Sequence, residues 1–129
     1  GTVLFSSRAP IGYIAIAKNE VTTNQGFKSI IPNENIGTEY VYQFLKYNID
    51  LIESRASGST FKEISGRELK KVPAIIPGKS VLEKFNLITN SLGNLIEKCE
   101  EETQVLINIR DTLLPKLISG EIRVPVENE

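Results

Sequence analysis

Three short polar segments of this chain combine residue types that could contact a nucleic acid. They span residues 6–10, 22–26 and 57–62 and contain arginine, lysine, asparagine, glutamine and several hydroxyl groups. An arginine fork pairs with guanine edges or phosphates, and side-chain amides pair with adenine edges. Small hydroxyl residues let the backbone approach phosphates, while lysines supply charge. Ordinary turns use the same serine, asparagine and glycine residues, so solvated loops are the alternative interpretation.

The composition removes most catalytic chemistry. The chain has no histidine and one cysteine, which excludes an imidazole base, a Ser-His or Cys-His pair and an internal disulfide framework. Gly78-Lys79-Ser80 imitates the end of a phosphate-binding loop, but Pro73 stands where that loop needs glycine. This segment therefore predicts a turn and a helix cap. Paired carboxylates are the one enzymatic hypothesis left, and we expect the chain not to be an enzyme.

Charge is unevenly divided along the chain. Residues 1–79 hold ten Lys/Arg and seven Asp/Glu, a net charge of +3, whereas residues 80–129 hold five and nine, a net charge of −4. The first part could face phosphates, and the second should not. We find neither an apolar run of the ~20 residues that cross a bilayer nor a secretory signal pattern. A cytoplasmic location is therefore expected.

Strands and then a helix are predicted for the first half of the chain. Thr2–Phe5, Ile11–Ala17 and Gly26–Ile31 are rich in β-forming residues and are separated by prolines and turn residues. Apolar residues then recur at helical spacing over Val41–Ile52, with Thr38 as the predicted N-cap. One helix ending near residue 55 should lay its apolar face on the sheet.

Capping signatures mark the elements that follow. Thr60–Glu63 and Ser65–Glu68 fit the S/T-x-x-E pattern and predict one or two helical turns. Val72–Ile76 predicts a short strand, placed at a sheet edge because of its proline. Ser80–Glu83 is a third capping box and directly precedes a heptad repeat.

The heptad repeat runs from Ser80 to Leu114, with apolar residues alternately three and four positions apart, as in a coiled coil. A helix of ~35 residues is about 50 Å long, so it is suited to hold another part at a fixed distance. Cys99 is expected to pack as a small hydrophobe, with a redox role or an intermolecular bridge as the alternative. Glu102 either sets the register, pairs with a basic group or marks where the interface opens. The two series are Phe85, Leu92, Cys99, Leu106 and Leu113, and Ile88, Leu95, Glu102 and Ile109.

The order of elements predicts an α+β fold. A small mixed globular part is expected over residues 1–79 and a long coiled-coil-forming helix over residues 80–119. Residues 120–129 are expected to form a tail that becomes ordered only with a partner.

Four of these segments taken together are more specific than any one alone. The series resembles the specificity subunit of bacterial type I restriction-modification enzymes, from residue 1 to about residue 124. The segments are Gly1–Gly12 (GTVLFSSRAPIG), Thr23–Lys28 (TNQGFK), Ser57–Ser65 (SGSTFKEIS) and Arg110–Ile122 (RDTLLPKLISGEI).

The resemblance implies a non-catalytic module for DNA recognition and assembly. Such subunits carry two target-recognition domains, each reading one half of a split DNA site. Long helices between the domains form an antiparallel coiled coil, which sets the spacing of the half-sites and docks the methyltransferase subunits. The methyltransferase and restriction subunits do the chemistry with S-adenosylmethionine and ATP, so no cofactor is expected here. This chain resembles the later part of one recognition domain plus one spacer helix, and we expect it to be a fragment.

The resemblance also implies DNA-facing residues and a docking end, whereas the heptad repeat itself predicts a partner interface, because an apolar stripe of this length is unlikely to stay exposed. Arg110–Ile122 is expected at the methyltransferase-docking end, and the isolated fragment is expected to self-associate, antiparallel, through its helix. The rival hypothesis is an oligomerisation or adaptor module that does not bind DNA. The DNA-facing candidates are Arg8, Asn24, Gln25, Ser59, Thr60 and Lys62. The expected partner interface is Phe85, Ile88, Leu92, Leu95, Leu106, Ile109 and Leu113.

Overall fold

The computed structural model describes residues 1–124, so part of the predicted tail lies outside the described residues. The chain divides into two compact units, residues 1–90 and residues 91 onwards. Strands and short helices in the first unit, followed by one long helix, confirm the predicted α+β class. The elements in chain order are β1 (Val3–Ser7), β2 (Ile11–Ile16), β3 (Phe27–Ile30), α1 (Thr38–Tyr47), α2 (Ile49–Ser54), α3 (Gly66–Leu69) and α4 (Lys79–Ile118).

The three predicted strands are confirmed and form one antiparallel sheet in the order β2-β1-β3. Val3 lies opposite Ile16 on one side and opposite Ile30 on the other. The register with β2 shifts between Phe5 and Ser7. This irregularity bends the end of the central strand, at the point where the chain passes into the first polar segment.

Side-chain alternation along β1 builds the core. Val3 and Phe5 are fully buried, while Leu4 between them points to the opposite face and is half-buried. The helices α1 and α2 contribute Leu45 and Ile52 to the same cluster. Ile64 and Val72, from the segments that flank α3, complete the buried cluster.

The single helix predicted from Thr38 to about residue 55 is wrong, because the structure breaks it into α1 and α2 at Asn48. The Asn48 side-chain amide donates to the Phe44 carbonyl at 2.7 Å. An asparagine that bonds a carbonyl of the preceding turn competes with the helical ladder, which explains the break. The predicted cap is also wrong: Gly37 is the N-cap of α1, and the Thr38 hydroxyl donates to the Gly1 carbonyl.

Two local predictions are also corrected. No helical turn forms over Thr60–Glu63, because Glu63 pairs through its backbone with Ser57 in a loop. Val72–Ile76 is not a strand, and only Val72 of this segment enters the core. The cap at Ser65 is confirmed, since the Ser65 hydroxyl accepts a hydrogen bond from the Glu68 backbone N–H and α3 follows.

The predicted long helix is confirmed as one continuous helix of 40 residues, α4. It begins one residue before the predicted cap at Ser80, and the Gly78 carbonyl accepts from the N–H groups of its first turn. The first turns of α4 belong to the first unit. Phe85 packs edge-on against Tyr40 with 6.0 Å between ring centroids, and the Asn86 amide donates to the Ile36 carbonyl at 3.1 Å. None of the helices in residues 1–124 combines the length and the apolar composition that a membrane span requires.

Replacing Ile52 by alanine should lower the free energy of unfolding by about 2–5 kcal/mol, because Ile52 is fully buried and its removal leaves a cavity. The matched control is Ile31→Ala, because Ile31 is 83% exposed and should change stability by less than about 0.5 kcal/mol. Urea denaturation followed by circular dichroism measures both values. Equal losses for the two variants would contradict the assigned core.

Candidate nucleic-acid interface

Ser7, the last residue of β1, brings together segments that are far apart in the sequence. Its backbone N–H and its hydroxyl both donate to the Gly26 carbonyl, at 2.8 and 2.9 Å. Its own carbonyl accepts from the Ile64 N–H at 3.0 Å. The turn before β3 and the end of the 57–63 segment are therefore held at the same end of the sheet.

Residues 57–63 form a closed loop, which we call the apical loop. The backbones of Ser57 and Glu63 exchange two hydrogen bonds, at 3.0 and 2.8 Å. Gly58 has a φ of +126°, and a Cβ at this position would lie 2.2 Å from the Phe61 carbonyl oxygen. Only glycine fits this close approach, because a side chain there would meet backbone atoms. The geometry explains why glycine stands at position 58.

The apical loop is joined to the first polar segment through Glu63. Arg8 forms an isolated β-bridge with Glu63, and the Lys28 ammonium lies 3.8 Å from the Glu63 carboxylate. Lys28 also donates to the Gln25 carbonyl at 3.0 Å. These contacts bring all three polar segments of the sequence into one cluster.

The turn before β3 is shaped by its own asparagine. The Asn24 side-chain oxygen accepts from the Gly26 N–H at 2.9 Å, which is an Asx-turn. A Cβ on Gly26 would lie 3.1 Å from the Nε atom of Arg8. The Arg8 side chain therefore passes directly over Gly26, and the turn and the arginine lie side by side.

All six DNA-facing candidates are exposed, and the structure places them on the three segments that meet at this end of the sheet. The serines beside Arg8 behave differently. Ser6 and Ser7 are buried, and the Ser6 hydroxyl lies within hydrogen-bond distance of the carbonyls of Arg8 and Pro10. Their hydroxyls support the fold and are not available to a ligand. We refer to the six candidates as the polar cluster: Arg8, Asn24, Gln25, Ser59, Thr60 and Lys62.

Sequence reasoning missed two side chains of this region. Lys28 was not singled out, because its contact with Glu63 depends on the tertiary fold and leaves no local signal. Phe61 lies at the apical loop between two of the candidates and is 72% exposed. Its position between Thr60 and Lys62 was the available signal, since a phenylalanine in such a polar run is unusual.

Lys71, one of the basic residues that follow the apical loop, is already paired with a carboxylate of this chain. The Lys71 ammonium donates to the Glu68 carboxylate at 2.6 Å. This hydrogen bond lowers the pKa of Glu68 below its ordinary value, with the nearby charges of Lys71, Arg67 and Arg55 acting in the same direction. The charge of Lys71 is therefore partly matched within the chain.

A second candidate surface is the apolar stripe of α4. Six of its predicted partner residues are between 42% and 62% exposed, whereas Phe85 is partly buried against Tyr40. Cys99 and Glu102 on the same stripe are also exposed. A side chain left exposed at every turn in a monomer is typical of a helix that packs on a partner. The six exposed residues, which we call the seam, are Ile88, Leu92, Leu95, Leu106, Ile109 and Leu113.

A small antiparallel sheet with polar loops at one end, followed by a heptad-bearing helix, is the arrangement expected of a recognition segment with its spacer. A family model described as the type I restriction modification DNA specificity domain matches residues 1–108. The chain belongs to this family. The match confirms the resemblance drawn from the sequence and identifies a segment of a specificity subunit, which is a non-catalytic component of its enzyme.

Similar proteins occur in an archaeon and in a bacterium. The type I restriction enzyme MjaIX specificity subunit of Methanocaldococcus jannaschii is 40% identical over 111 residues, covering 84% of this chain and 26% of that protein. The type I restriction enzyme HindI specificity subunit of Haemophilus influenzae is 30% identical, covering 94% of this chain and 27% of that protein. A putative MjaX specificity subunit of M. jannaschii is 26% identical, over 95% of this chain and 29% of the relative. The chain thus spans between a quarter and a third of the length of these relatives.

Replacing Gly58 by alanine should lower the free energy of unfolding by more than about 1 kcal/mol, because the added Cβ would meet the Phe61 carbonyl and φ is positive. Gly78→Ala is the matched control, since a Cβ at Gly78 meets nothing within 4 Å. Urea denaturation compares the two variants. If both behave alike, the closed geometry of the apical loop is incorrect.

Proposed function

We propose that this chain is a DNA-recognition and assembly module of a type I restriction-modification system, acting in the cytoplasm. In this role it contacts DNA and holds the methyltransferase subunits, and through them the restriction subunits, on that DNA. The observation that carries the proposal is the convergence of three sequence-distant polar segments at one end of the sheet, in a chain of the specificity family.

The polar cluster has the chemistry for two kinds of DNA contact. Lys62 and Arg8 supply exposed positive charge next to a rigid backbone, which suits phosphate binding. The amides of Asn24 and Gln25 and the hydroxyls of the apical loop suit hydrogen bonds with base edges. Phosphate contacts would give affinity that depends on salt, and base contacts would give selectivity.

The seam of α4 supports the assembly role. Exposed leucine and isoleucine residues at a/d spacing pack well against a second helix, as in a coiled coil. We propose an antiparallel helix pair here, with the methyltransferase subunits bound near residues 110–122. In that region α4 ends at Ile118, Gly120 follows with a φ of +75°, and Lys116 lies 3.7 Å from Glu121.

A second candidate function is an adaptor that uses only the seam and does not bind DNA. The exposure of the seam favours this candidate as much as the first, because both need a partner helix. The two differ in what the polar cluster does, so DNA binding separates them.

Binding of this chain to duplex DNA should weaken steeply with salt, with a slope of log K against log [salt] near −0.9 for each phosphate neutralised. Replacing Lys62 by alanine should reduce the magnitude of this slope by about 1 and weaken binding to all sequences alike. Fluorescence anisotropy over a salt series measures both effects.

Lys98→Ala is the control for the salt series, because Lys98 is exposed on α4 outside the polar cluster. This variant should bind as the parent chain does. Absence of binding at low salt would exclude DNA contact by this chain and would favour the adaptor. An equal effect of the two lysine variants would show that the attraction comes from overall charge.

The chain should self-associate through the seam, and Leu95→Asp should abolish the association, because a carboxylate there would be buried without a partner. Multi-angle light scattering at increasing concentration measures the mass. Leu114→Asp is the matched control, since Leu114 is exposed on α4 but lies outside the a/d series. A parent chain that stays monomeric at high concentration would contradict the seam assignment.

A further inference from the structure

The Phe61 side chain has no charge and no hydrogen-bonding group, so it serves neither of the two kinds of DNA contact proposed above. The ring is 72% exposed, although the residue three positions later, Ile64, is fully buried. A buried aromatic ring stabilises a fold strongly, and the exposed ring of Phe61 contributes little to the stability of this one. The exposed ring is therefore available to a ligand.

The apical loop holds the backbone of Phe61 in place. The Ser57–Glu63 hydrogen bonds close the loop at its base, and the Phe61 carbonyl occupies the space where a side chain on residue 58 would be. Reorganising the loop to bury the ring would require these contacts to break. The ring is thus presented on a preorganised support, which reduces the entropy lost when a ligand binds it.

The surroundings of the ring are polar and carry positive charge. Residues 57–62 contain one lysine and no carboxylate. The first carboxylate after the ring, that of Glu63, lies 3.8 Å from the Lys28 ammonium. Within the apical loop, the single carboxylate thus lies beside a cation, which favours the approach of a polyanion.

We propose that the Phe61 ring stacks on a DNA base at an opened or kinked step, as an aromatic wedge beside the phosphate contacts of the polar cluster. This inference rests on the proposed DNA-recognition function. Apolar side chains that insert between base steps partly unstack them and bend the duplex, and base–aromatic stacking tolerates any sequence. The ligand is therefore a nucleobase, and Lys62 would hold an adjacent phosphate.

A protein partner is the less favoured occupant of this site. Protein interfaces bury an apolar centre that several side chains build together. Phe61 is the one large apolar residue among residues 57–62, and its neighbours are hydroxyls and a lysine. A single ring within a polar loop fits the face of a base better than it fits an apolar groove.

The test uses this chain and two otherwise identical duplex oligonucleotides, one fully paired and one with a central mismatch. Opening a mismatched step costs less than opening a paired one, so the parent chain should bind the mismatched duplex more tightly. Phe61→Ala should weaken binding to the mismatched duplex about 5- to 100-fold and remove the preference. Its salt slope should not change, because the ring neutralises no phosphate.

Two further variants make the result specific. Phe61→Trp keeps an aromatic face and should retain the preference for the mismatched duplex. Tyr47→Ala removes another aromatic ring, which is 90% exposed on α1, and should bind as the parent chain does. Circular dichroism melting should show unchanged stability for all three variants, because both rings are exposed.

The outcomes separate this inference from the function on which it rests. If the parent chain binds neither duplex at low salt, the DNA-recognition function and the wedge both fail. If the parent binds DNA and Phe61→Ala binds with the same affinity and the same mismatch preference, the wedge alone is overturned. If Phe61→Ala leaves DNA binding intact and instead weakens association with methyltransferase subunits, the ring is a protein contact and the wedge is overturned.

Discussion

The fold of the candidate interface depends on the hydrogen bonds of one buried serine. Ser7 is fully buried and bonds the turn before β3 through its N–H and hydroxyl, and the segment after the apical loop through its carbonyl. A buried polar group stabilises a fold when it is fully satisfied and destabilises it when it is not. Ser7 therefore holds two polar segments against the end of β1, together with the Arg8–Glu63 bridge.

The polar cluster and the seam differ in the chemistry of their side chains. The polar cluster combines exposed amides, hydroxyls and positive charge on short loops at one end of the sheet. The seam consists of aliphatic side chains repeated along one helix, in the more acidic part of the chain. Phe85 continues the same heptad series but packs on Tyr40 in the first unit. The series thus begins with a contact to α1 and continues as an exposed stripe.

The sequence predicted the elements that short-range patterns determine. β-branched and aromatic runs predicted the three strands, and the heptad spacing predicted α4, because both signals repeat along the element itself. Asn48 lies within the single helix that the sequence predicts, yet its amide donates to the Phe44 carbonyl and α1 ends before it. Thr60–Glu63 fits a capping pattern, but Glu63 pairs with Ser57 and Arg8 instead. Tertiary pairing overrode local propensity in that loop.

The chemistry of the polar cluster was readable from residue types, whereas its assembly was not. Arg8, Asn24 and Lys62 were singled out because their side chains suit DNA. Their convergence depends on contacts such as the Ser7–Gly26 hydrogen bond, which joins residues 19 positions apart. No periodicity predicts such a contact. The role of Lys28 became visible only when the loops were placed together.

Some residues of the apical loop are required for its shape, whereas others can be substituted. Its base is fixed by backbone pairing, and Gly58 is fixed by space, but the side chains of Ser59, Thr60, Phe61 and Lys62 all point away from the core. Four adjacent positions can therefore vary with little cost in folding. A protein built in this way can acquire new binding preferences by point mutation at the loop tip, and a directed-evolution library confined to these four codons would sample them on an intact scaffold.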